Sequence, residues 1–248
     1  MSCADQRGPL LQLGSITKQF GGVVAVNDVS FDVGWTTVAG LIGPNGSGKT
    51  TLINLINGVY PADRGTIRLA DKPIGGHPPS QLAAWGLSRT FQNARVFNTL
   101  TVRQNLFVPL LHHPEAERAA AADRAAQLLE LVGLERFADE PASQLSGGQK
   151  RLLEFARALV TRPALVLMDE PFAGVHPALK SLLIRCIRQS VARDGASFLI
   201  VSHEVPDLVA MADVMVCLVE GRVAASGVPA DVVRDERVIE GYLGRGPK

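Results

Sequence analysis

Cysteine is scarce in this 248-residue sequence, which contains only Cys3, Cys186 and Cys217, far apart along the chain. No C-x-x-C spacing occurs, so the sequence indicates neither a zinc site nor a disulfide framework. We expect reduced, mostly packed thiols of the kind found in cytosolic proteins.

The sequence also lacks a basic charge excess and any long apolar run. It has 25 Lys and Arg against 24 Asp and Glu residues, so we expect no nucleic-acid partner. No apolar stretch approaches the ~18–20 residues that span a bilayer, and the first residues do not predict a signal peptide. If this protein acts at a membrane, we expect another chain to anchor it there.

A glycine-rich stretch from Gly43 to Thr50, GPNGSGKT, has the spacing G-x-x-x-x-G-K-[ST]. Its glycines allow positive φ angles, so successive backbone N–H groups can point at phosphate oxygens. Lys49 supplies a charge for the β- and γ-phosphates, and the Thr50 hydroxyl can ligate Mg²⁺. A strand pattern over 38–42 precedes the stretch and a helical pattern over 51–57 follows it. This context favours a nucleoside triphosphate site over an ordinary glycine-rich turn.

The residues around this loop predict an antiparallel β region. Residues 11–20 suggest a strand, 23–26 and 29–33 suggest two further short strands, and 65–71 suggest another after the loop helix. Phe20 lies where an aromatic ring could stack on an adenine. A strand-end core aromatic fits the local sequence equally well.

Two buried strands predicted later in the chain are followed by polar residues. Residues 165–169 form an apolar run that ends at Asp169, with Glu170 next, and residues 197–202 form another run followed by His203. Ligands bind at the carboxyl ends of strands in open α/β sheets. Asp169 is thus placed to hold Mg²⁺ through water, and Glu170 to polarise an attacking water. Acid pairs and lone histidines are also common as structural residues, but the glycine-rich loop favours functional roles here.

The stretch LSGGQ at 145–149 predicts a second helix N-terminus suited to an anion, although a plain helix start also explains it. The helical pattern that follows carries four charged side chains that we interpret as a solvated face: Lys150, Arg151, Glu154 and Arg157. Helices are also predicted over 115–132, 177–193 and 205–212, a hairpin over 214–219 and 221–225, and a polar helical tail over 229–243.

Taken in order, these motifs resemble the ATP-binding subunit of ABC transporters over essentially the whole chain. GPNGSGKT resembles Walker A, LVLMDE at 165–170 resembles Walker B with its catalytic glutamate, and LSGGQ is similar to the ABC signature. Gln92 matches the Q-loop glutamine, His203 the switch histidine and Phe20 the adenine-stacking aromatic. Walker A alone occurs in many NTPases, but the whole series in this order is highly specific.

The resemblance implies an α/β fold with a P-loop NTPase core, in which a mainly parallel sheet has flanking helices. It adds an N-terminal antiparallel β subdomain and a helical subdomain that carries LSGGQ. The 248 residues would form a single ABC ATPase domain. We expect the core and β subdomain at about 9–92 and 160–228, the helical subdomain at about 93–159, and a C-terminal helical tail at about 229–248.

The resemblance also implies a head-to-tail homodimer or heterodimer that binds two ATP at its interface, with Mg²⁺ as the cofactor. The metal would be arranged by Thr50, Gln92 and Asp169. The catalytic residues would be Glu170, His203, Gln92 and Lys49. The nucleotide would contact Phe20, Val26, Gly43, Pro44, Asn45, Gly46, Ser47, Gly48, Lys49, Thr50 and Thr51 of one subunit and Ser146, Gly147, Gly148 and Gln149 of the other.

Finer features, including GLSRTFQ at 86–92 and GYLG at 241–244, resemble the branched-chain (hydrophobic) amino acid uptake group. His176 stands where Asn or Ser is more usual in the D-loop. Members pair ATPase subunits with membrane permeases and a solute-binding protein. We therefore expect peripheral attachment at the cytoplasmic face of the cell membrane, with a permease contact at about 93–106.

Several alternatives stay open at this stage. Urea or amide importers and the lipopolysaccharide-export ATPase share much of the pattern. A soluble ABC ATPase acting on nucleic acid usually has two cassettes or a coiled-coil insertion, and this chain shows neither. A kinase or GTPase would use the same loop, but no N-K-x-D guanine motif is present and LSGGQ has no role there.

Overall fold

The computed structural model describes residues 8–90, 95–111 and 115–243. The strands in these residues are β1 Leu11–Phe20, β2 Val23–Val33, β3 Val38–Ile42, β4 Arg64–Leu69, β5 Lys72–Pro73, β6 Leu87–Thr90, β7 Leu165–Asp169, β8 Ser197–Val201, β9 Val214–Val219 and β10 Arg222–Gly227. The α-helices are α1 Lys49–Ile56, α2 Pro79–Ala84, α3 Val102–Phe107, α4 Glu115–Leu131, α5 Gly147–Leu159, α6 Pro177–Asp194, α7 Val205–Met211, α8 Pro229–Val232 and α9 Glu236–Leu243.

The strands form two sheets. An antiparallel sheet has the order β2-β1-β4-β5, and a six-stranded sheet has the order β10-β9-β3-β8-β7-β6. In the larger sheet β10 pairs antiparallel with β9, whereas the other neighbours are parallel. This arrangement confirms the α/β fold with a mainly parallel sheet and an antiparallel β region.

Both faces of the parallel sheet are buried, because alternate residues of its strands enter different cores. On β7, Val166 and Met168 belong to a core shared with α4, α5 and α6. Leu165 and Leu167 belong to a second core, shared with α1 and the antiparallel sheet. Such two-sided burial explains why the strands read as continuous apolar runs in the sequence.

The strand order places three motifs at one edge of the sheet. β3, β8 and β7 are parallel neighbours, so the residues that follow each strand emerge side by side at its carboxyl end. Gly43 follows β3, Glu170 follows β7 and His203 comes two residues after β8. The Glu170 N–H donates to the Val201 carbonyl oxygen at 2.8 Å, which extends the β7–β8 pairing to this edge.

Several local predictions are wrong in detail. Residues 23–33 form one strand, because Asp28 takes a φ of 56° and the irregular register absorbs the polar break. The strand predicted over 65–71 ends at Leu69, since Ala70 and Asp71 have positive φ angles and turn the chain into β5. The tail forms two helices and is not uniformly polar, because Val232 and Val238 are buried.

The charged face of α5 is also not solvated. Glu154 is 2% exposed and accepts the Arg95 N–H at 3.2 Å. Arg151 Nη1 donates to three carbonyl oxygens in the segment after β7, at 2.8 to 3.2 Å. Arg157 Nη2 donates to the Arg95 carbonyl oxygen. Periodicity gave the helix correctly, but neighbouring loops cover the face that we expected in solvent.

Cys186 and Cys217 are free and buried, as packed thiols should be, and Cys3 lies outside the described residues. Burial raises the pKa of each of these two thiols to about 11. Across the described ranges, none of the helices has the length and apolar character needed to cross a membrane.

Candidate nucleotide-binding site

The glycine-rich loop joins β3 to α1 and depends on close approach of its backbone to two other strands. Gly43 has a φ of 149° and Gly48 a φ of 98°. A Cβ atom at Gly43 would lie 2.2 Å from the Leu218 carbonyl oxygen, and one at Gly48 would lie 2.3 Å from the Ala25 carbonyl oxygen. Only glycine fits at these positions, so the loop conformation is fixed against β9 and β2.

Lys49, the first residue of α1, places its ammonium group inside the loop. The residue is 8% exposed, and its Nζ donates to the carbonyl oxygens of Gly43 at 2.8 Å and Pro44 at 2.9 Å. Burial lowers the pKa of the Lys49 ammonium, whereas the nearby carboxylates of Glu170 and Asp169 oppose this shift. The loop therefore encloses a cationic side chain next to two acids.

A cavity of about 740 Å³ lies over the loop, and this volume is ample for a nucleotide. Its wall contains ten of the residues predicted for the site: Asn45, Gly46, Ser47, Gly48, Lys49, Thr50, Thr51, Asp169, Glu170 and His203. The other lining residues are Val23, Val24, Ala25, Val201, Glu220 and Gly221. Gly43, the first loop residue, lines neither this cavity nor the neighbouring cavity of about 320 Å³, which Pro44 lines.

Asp169 is held at the end of β7 by Arg89 from the neighbouring strand β6. Arg89 Nη2 lies 3.5 Å from Asp169 Oδ2, and the two side chains are 9% and 11% exposed. Burial raises the pKa of the Asp169 carboxyl, while Arg89 opposes that effect. Arg89 Nη1 also donates to Asn54 Oδ1 on α1 at 2.7 Å, so one guanidinium links the acid to the helix after the loop.

Glu170 and His203 form a second pair at the same edge. Glu170 has a φ of 51°, a left-handed conformation that is unusual for a side chain of this kind. Its Oε2 accepts the His203 backbone N–H at 3.2 Å and lies 2.8 Å from His203 Nδ1. The Glu170 side chain is 14% exposed and that of His203 is 59% exposed. The carboxylate is thus held on the cavity wall by a histidine that solvent can reach.

The polar atoms of the cavity suit a nucleotide with its metal ion. Ser47 Oγ is buried and makes no hydrogen bond to any other part of the chain that the structure describes, so a phosphate oxygen would give it a partner. The Thr50 hydroxyl and the Asp169 carboxylate line the same space. Oxygen donors of these types, together with phosphates and water, are the ligands that Mg²⁺ prefers.

The LSGGQ stretch does not line this cavity within the single chain. Ser146 caps α5 by accepting the Gln149 N–H at 3.3 Å, while the Gln149 side chain accepts the Ser146 N–H at 2.9 Å. Ser146 and Gly147 are exposed. Arg151, one helical turn further on, contacts the carbonyl oxygens of Glu170 and Ala173 and so ties α5 to the segment after β7.

Two residues predicted to contact the nucleotide lie elsewhere. Val26 is fully buried and its neighbour Ala25 lines the cavity in its place. Phe20 is 42% exposed at the end of β1, outside the cavity wall, with its ring edge-on to Tyr60 at a centroid distance of 5.3 Å. Gln92 lies outside the described residues.

Sequence reasoning missed several contacts that shape the site or its supports. Arg89 pairs with Asp169, Glu220 and Gly221 line the cavity, and Tyr242 Oη accepts the Gly43 N–H at 2.8 Å. His176 is the N-cap of α6, where its Nδ1 accepts the Ala178 N–H at 3.3 Å. A capping role was readable from the Pro177 that follows His176, but the other contacts join distant parts of the chain.

Comparison with known proteins identifies one family. Residues 26–173 match the family described as ABC transporter. The high-affinity branched-chain amino acid transport ATP-binding protein LivG of Salmonella typhimurium is 36% identical over 95% of this chain and 98% of its own length. BraF of Pseudomonas aeruginosa, which has the same description, is also 36% identical over those shares of the two chains. A probable LivG of Archaeoglobus fulgidus is 36% identical over 95% of each.

Solved structures give the same result. The ADP conformation of an ATP-binding cassette of an ABC transporter has a TM-score of 0.85 and 32% identity, and the match covers 96% of this chain and all of that one. A nucleotide-free ATP-binding cassette has a TM-score of 0.85, 33% identity and the same coverage.

The fold and site define an ATP-binding cassette. This chain belongs to the ABC transporter family, as an ATP-binding subunit that hydrolyses ATP. The motif-based prediction of family, fold and ATPase activity is confirmed.

Proposed function

We propose that this chain drives uptake of branched-chain amino acids through membrane permeases, by binding and hydrolysing ATP between two ATPase subunits. The proposed ATP hydrolysis rests on one observation. The loop that carries Lys49 lines the same cavity as Asp169, Glu170 and His203. The strand order β3-β8-β7 supports it, because those residues come from three adjacent strand ends.

In the proposed mechanism the loop N–H groups and Lys49 bind the β- and γ-phosphates. Thr50, Asp169 and Gln92 would hold Mg²⁺, which neutralises charge on the phosphates when it is bound. Glu170 would orient a water molecule and accept its proton as the water oxygen attacks the γ-phosphorus and ADP leaves. The contact between Glu170 Oε2 and His203 Nδ1, at 2.8 Å, supports a role for His203 in orienting the carboxylate.

The proposal needs a second ATPase subunit, identical or paralogous. The helix start at Ser146 is exposed and lies outside the cavity of its own chain. The capping box uses the N–H groups of Ser146 and Gln149, and those of Gly147 and Gly148 remain for a phosphate bound by a partner. Two subunits arranged head to tail would then place Ser146 to Gln149 of each against the nucleotide of the other. ATP-dependent closure and reopening of such a pair is a ligand-biased two-state switch.

The proposed permease contact is the segment 93–106, of which residues 95–106 are described. Phe97, at 48% exposure, presents an apolar ring, and the backbone N–H and carbonyl of Phe97 are both held by the buried Asn105 side chain. Arg103 pairs with Asp139 at 3.0 Å at the surface. Contact with permeases here would hold the chain peripherally at the cytoplasmic face of the membrane.

The solute rests on similarity to LivG and BraF, whose names describe branched-chain amino acid transport. The test is uptake of labelled leucine, isoleucine and valine in the source cells after Glu170→Gln is introduced in this chain. We expect uptake of all three to fall while urea uptake is unchanged. Glu130→Gln, an exposed carboxylate on α4 that lines neither of the two cavities at the loop, is the matched control. Unchanged leucine uptake, or loss of urea uptake in its place, would contradict the proposed solute.

A further inference from the structure

A hydrogen bond joins the C-terminal helix α9 to the start of the phosphate-binding loop. The Gly43 N–H, at the point where β3 becomes the loop, donates to Tyr242 Oη at 2.8 Å, across 199 residues of sequence. We propose that Tyr242 is a positioning residue for ATP binding: its phenol oxygen fixes the Gly43 peptide and thereby the geometry of the loop.

Gly43 is the residue through which such a bond can act on the site. Its carbonyl oxygen accepts from Lys49 Nζ at 2.8 Å, so its backbone lies between Tyr242 on one side and the phosphate-binding lysine on the other. The Gly43 backbone, with a φ of 149°, has few other conformations available, because the Leu218 carbonyl oxygen lies close to it. Holding the N–H therefore restricts rotation of the Gly43 backbone, whose carbonyl receives Lys49.

Tyr242 is itself held in place by the packing of α9. Val238 is 3% exposed, and a Cβ at Gly241 would lie 2.6 Å from Val219 Cγ2, so the helix lies directly on β9. The Tyr242 ring borders an apolar cavity of about 280 Å³ together with Ile42 and Val205. The ring thus rests on apolar neighbours while its oxygen reaches the backbone, as amphipathic aromatic side chains commonly do.

The electrostatic surroundings keep the phenol in the form that this contact uses. Tyr242 is 41% exposed, and the partial burial of its side chain raises the pKa of the phenol to about 12, with the Gly43 N–H acting in the opposite direction. The phenol therefore stays protonated at neutral pH and does not place a negative charge near the phosphates.

The alternative explanation is that Tyr242 only fastens the tail to the core. The two roles separate by substitution, since Tyr242→Phe removes the oxygen and keeps the ring, whereas Val238→Ala loosens α9 and leaves the phenol. Tyr60→Phe is a matched control, because the chain has only two tyrosines and Tyr60 is 40% exposed beside Phe20.

The experiment measures the dissociation constant of a non-hydrolysable ATP analogue and the hydrogen exchange of the Gly43 amide in the full-length chain and these three variants. We expect Tyr242→Phe to weaken binding about two-fold to ten-fold, the range for one neutral hydrogen bond, and to speed exchange at Gly43. Tyr60→Phe should change neither quantity. Val238→Ala should lower the melting temperature, and it should weaken binding less than Tyr242→Phe does.

Two results would overturn the proposal. One is Tyr242→Phe with wild-type affinity and wild-type exchange at Gly43. The other is Val238→Ala with the same loss of affinity as Tyr242→Phe, because tail anchoring alone would then explain both. Neither result depends on the transported solute, so this test stands apart from the uptake experiment.

Discussion

Gly48→Ala should destabilise the chain much more than Gly46→Ala, although both glycines lie in the same loop with positive φ angles of 98° and 80°. A left-handed backbone costs a residue with a side chain about 1–2 kcal/mol, and both variants incur that cost. Only the added methyl group at Gly48 meets a backbone atom, the Ala25 carbonyl oxygen at 2.3 Å, while the one at Gly46 has nothing within 4 Å. Overpacking of this kind adds about 1–3 kcal/mol.

The assay is denaturant and thermal unfolding without nucleotide, so that contacts with ATP do not contribute. For a chain of this length, each kcal/mol corresponds to a shift of about 2–4 °C in melting temperature. Gly48→Ala should therefore unfold at least about 2 °C below Gly46→Ala. Equal stabilities of the two variants would refute the argument that contact with β2 shapes the loop.

Two further predictions concern charged pairs. Arg89→Gln removes the guanidinium 3.5 Å from Asp169, which opposes the effect of burial on that carboxyl. The Asp169 pKa should rise further in the chain free of metal and nucleotide, which a titration followed by NMR measures; an unchanged pKa would count against the pairing. Arg103→Glu should weaken coupling to transport but spare ATP hydrolysis. The double variant Arg103→Glu with Asp139→Arg restores the surface pair, and it should not recover transport. Recovered transport would show that the pair alone matters.

Much of the site could be predicted because its chemistry is local in sequence. The loop from Gly43 to Thr50 carries its spacing, its lysine and its flanking strand and helix within a few residues. Asp169 and Glu170 come directly after the apolar residues of β7. Both faces of that strand are buried, so its sequence is a continuous apolar run that is easily recognised. Parallel neighbours then bring these ends together without further information from the sequence.

The rest depends on contacts between distant segments, which local patterns do not encode. The bond from Gly43 to Tyr242 joins the start of the loop to the end of the chain. Arg89 is one residue of the short strand β6, and nothing in its local sequence shows that it links Asp169 to Asn54 on α1. The charges of α5 follow a surface pattern, but Glu154 is buried because other segments pack over it. In each case tertiary packing decides the role.

We propose that Glu170 activates the water for hydrolysis in an ATP-bound dimer. The most direct measurement follows ATP turnover and molar mass by light scattering for wild type, Glu170→Gln and the control Glu130→Gln. We predict that Glu170→Gln loses about 10²–10⁴-fold in turnover, as removal of a general base does, and with ATP forms a species of twice the 26.4 kDa chain mass. A Glu170→Gln chain that hydrolyses ATP at the wild-type rate would contradict the account.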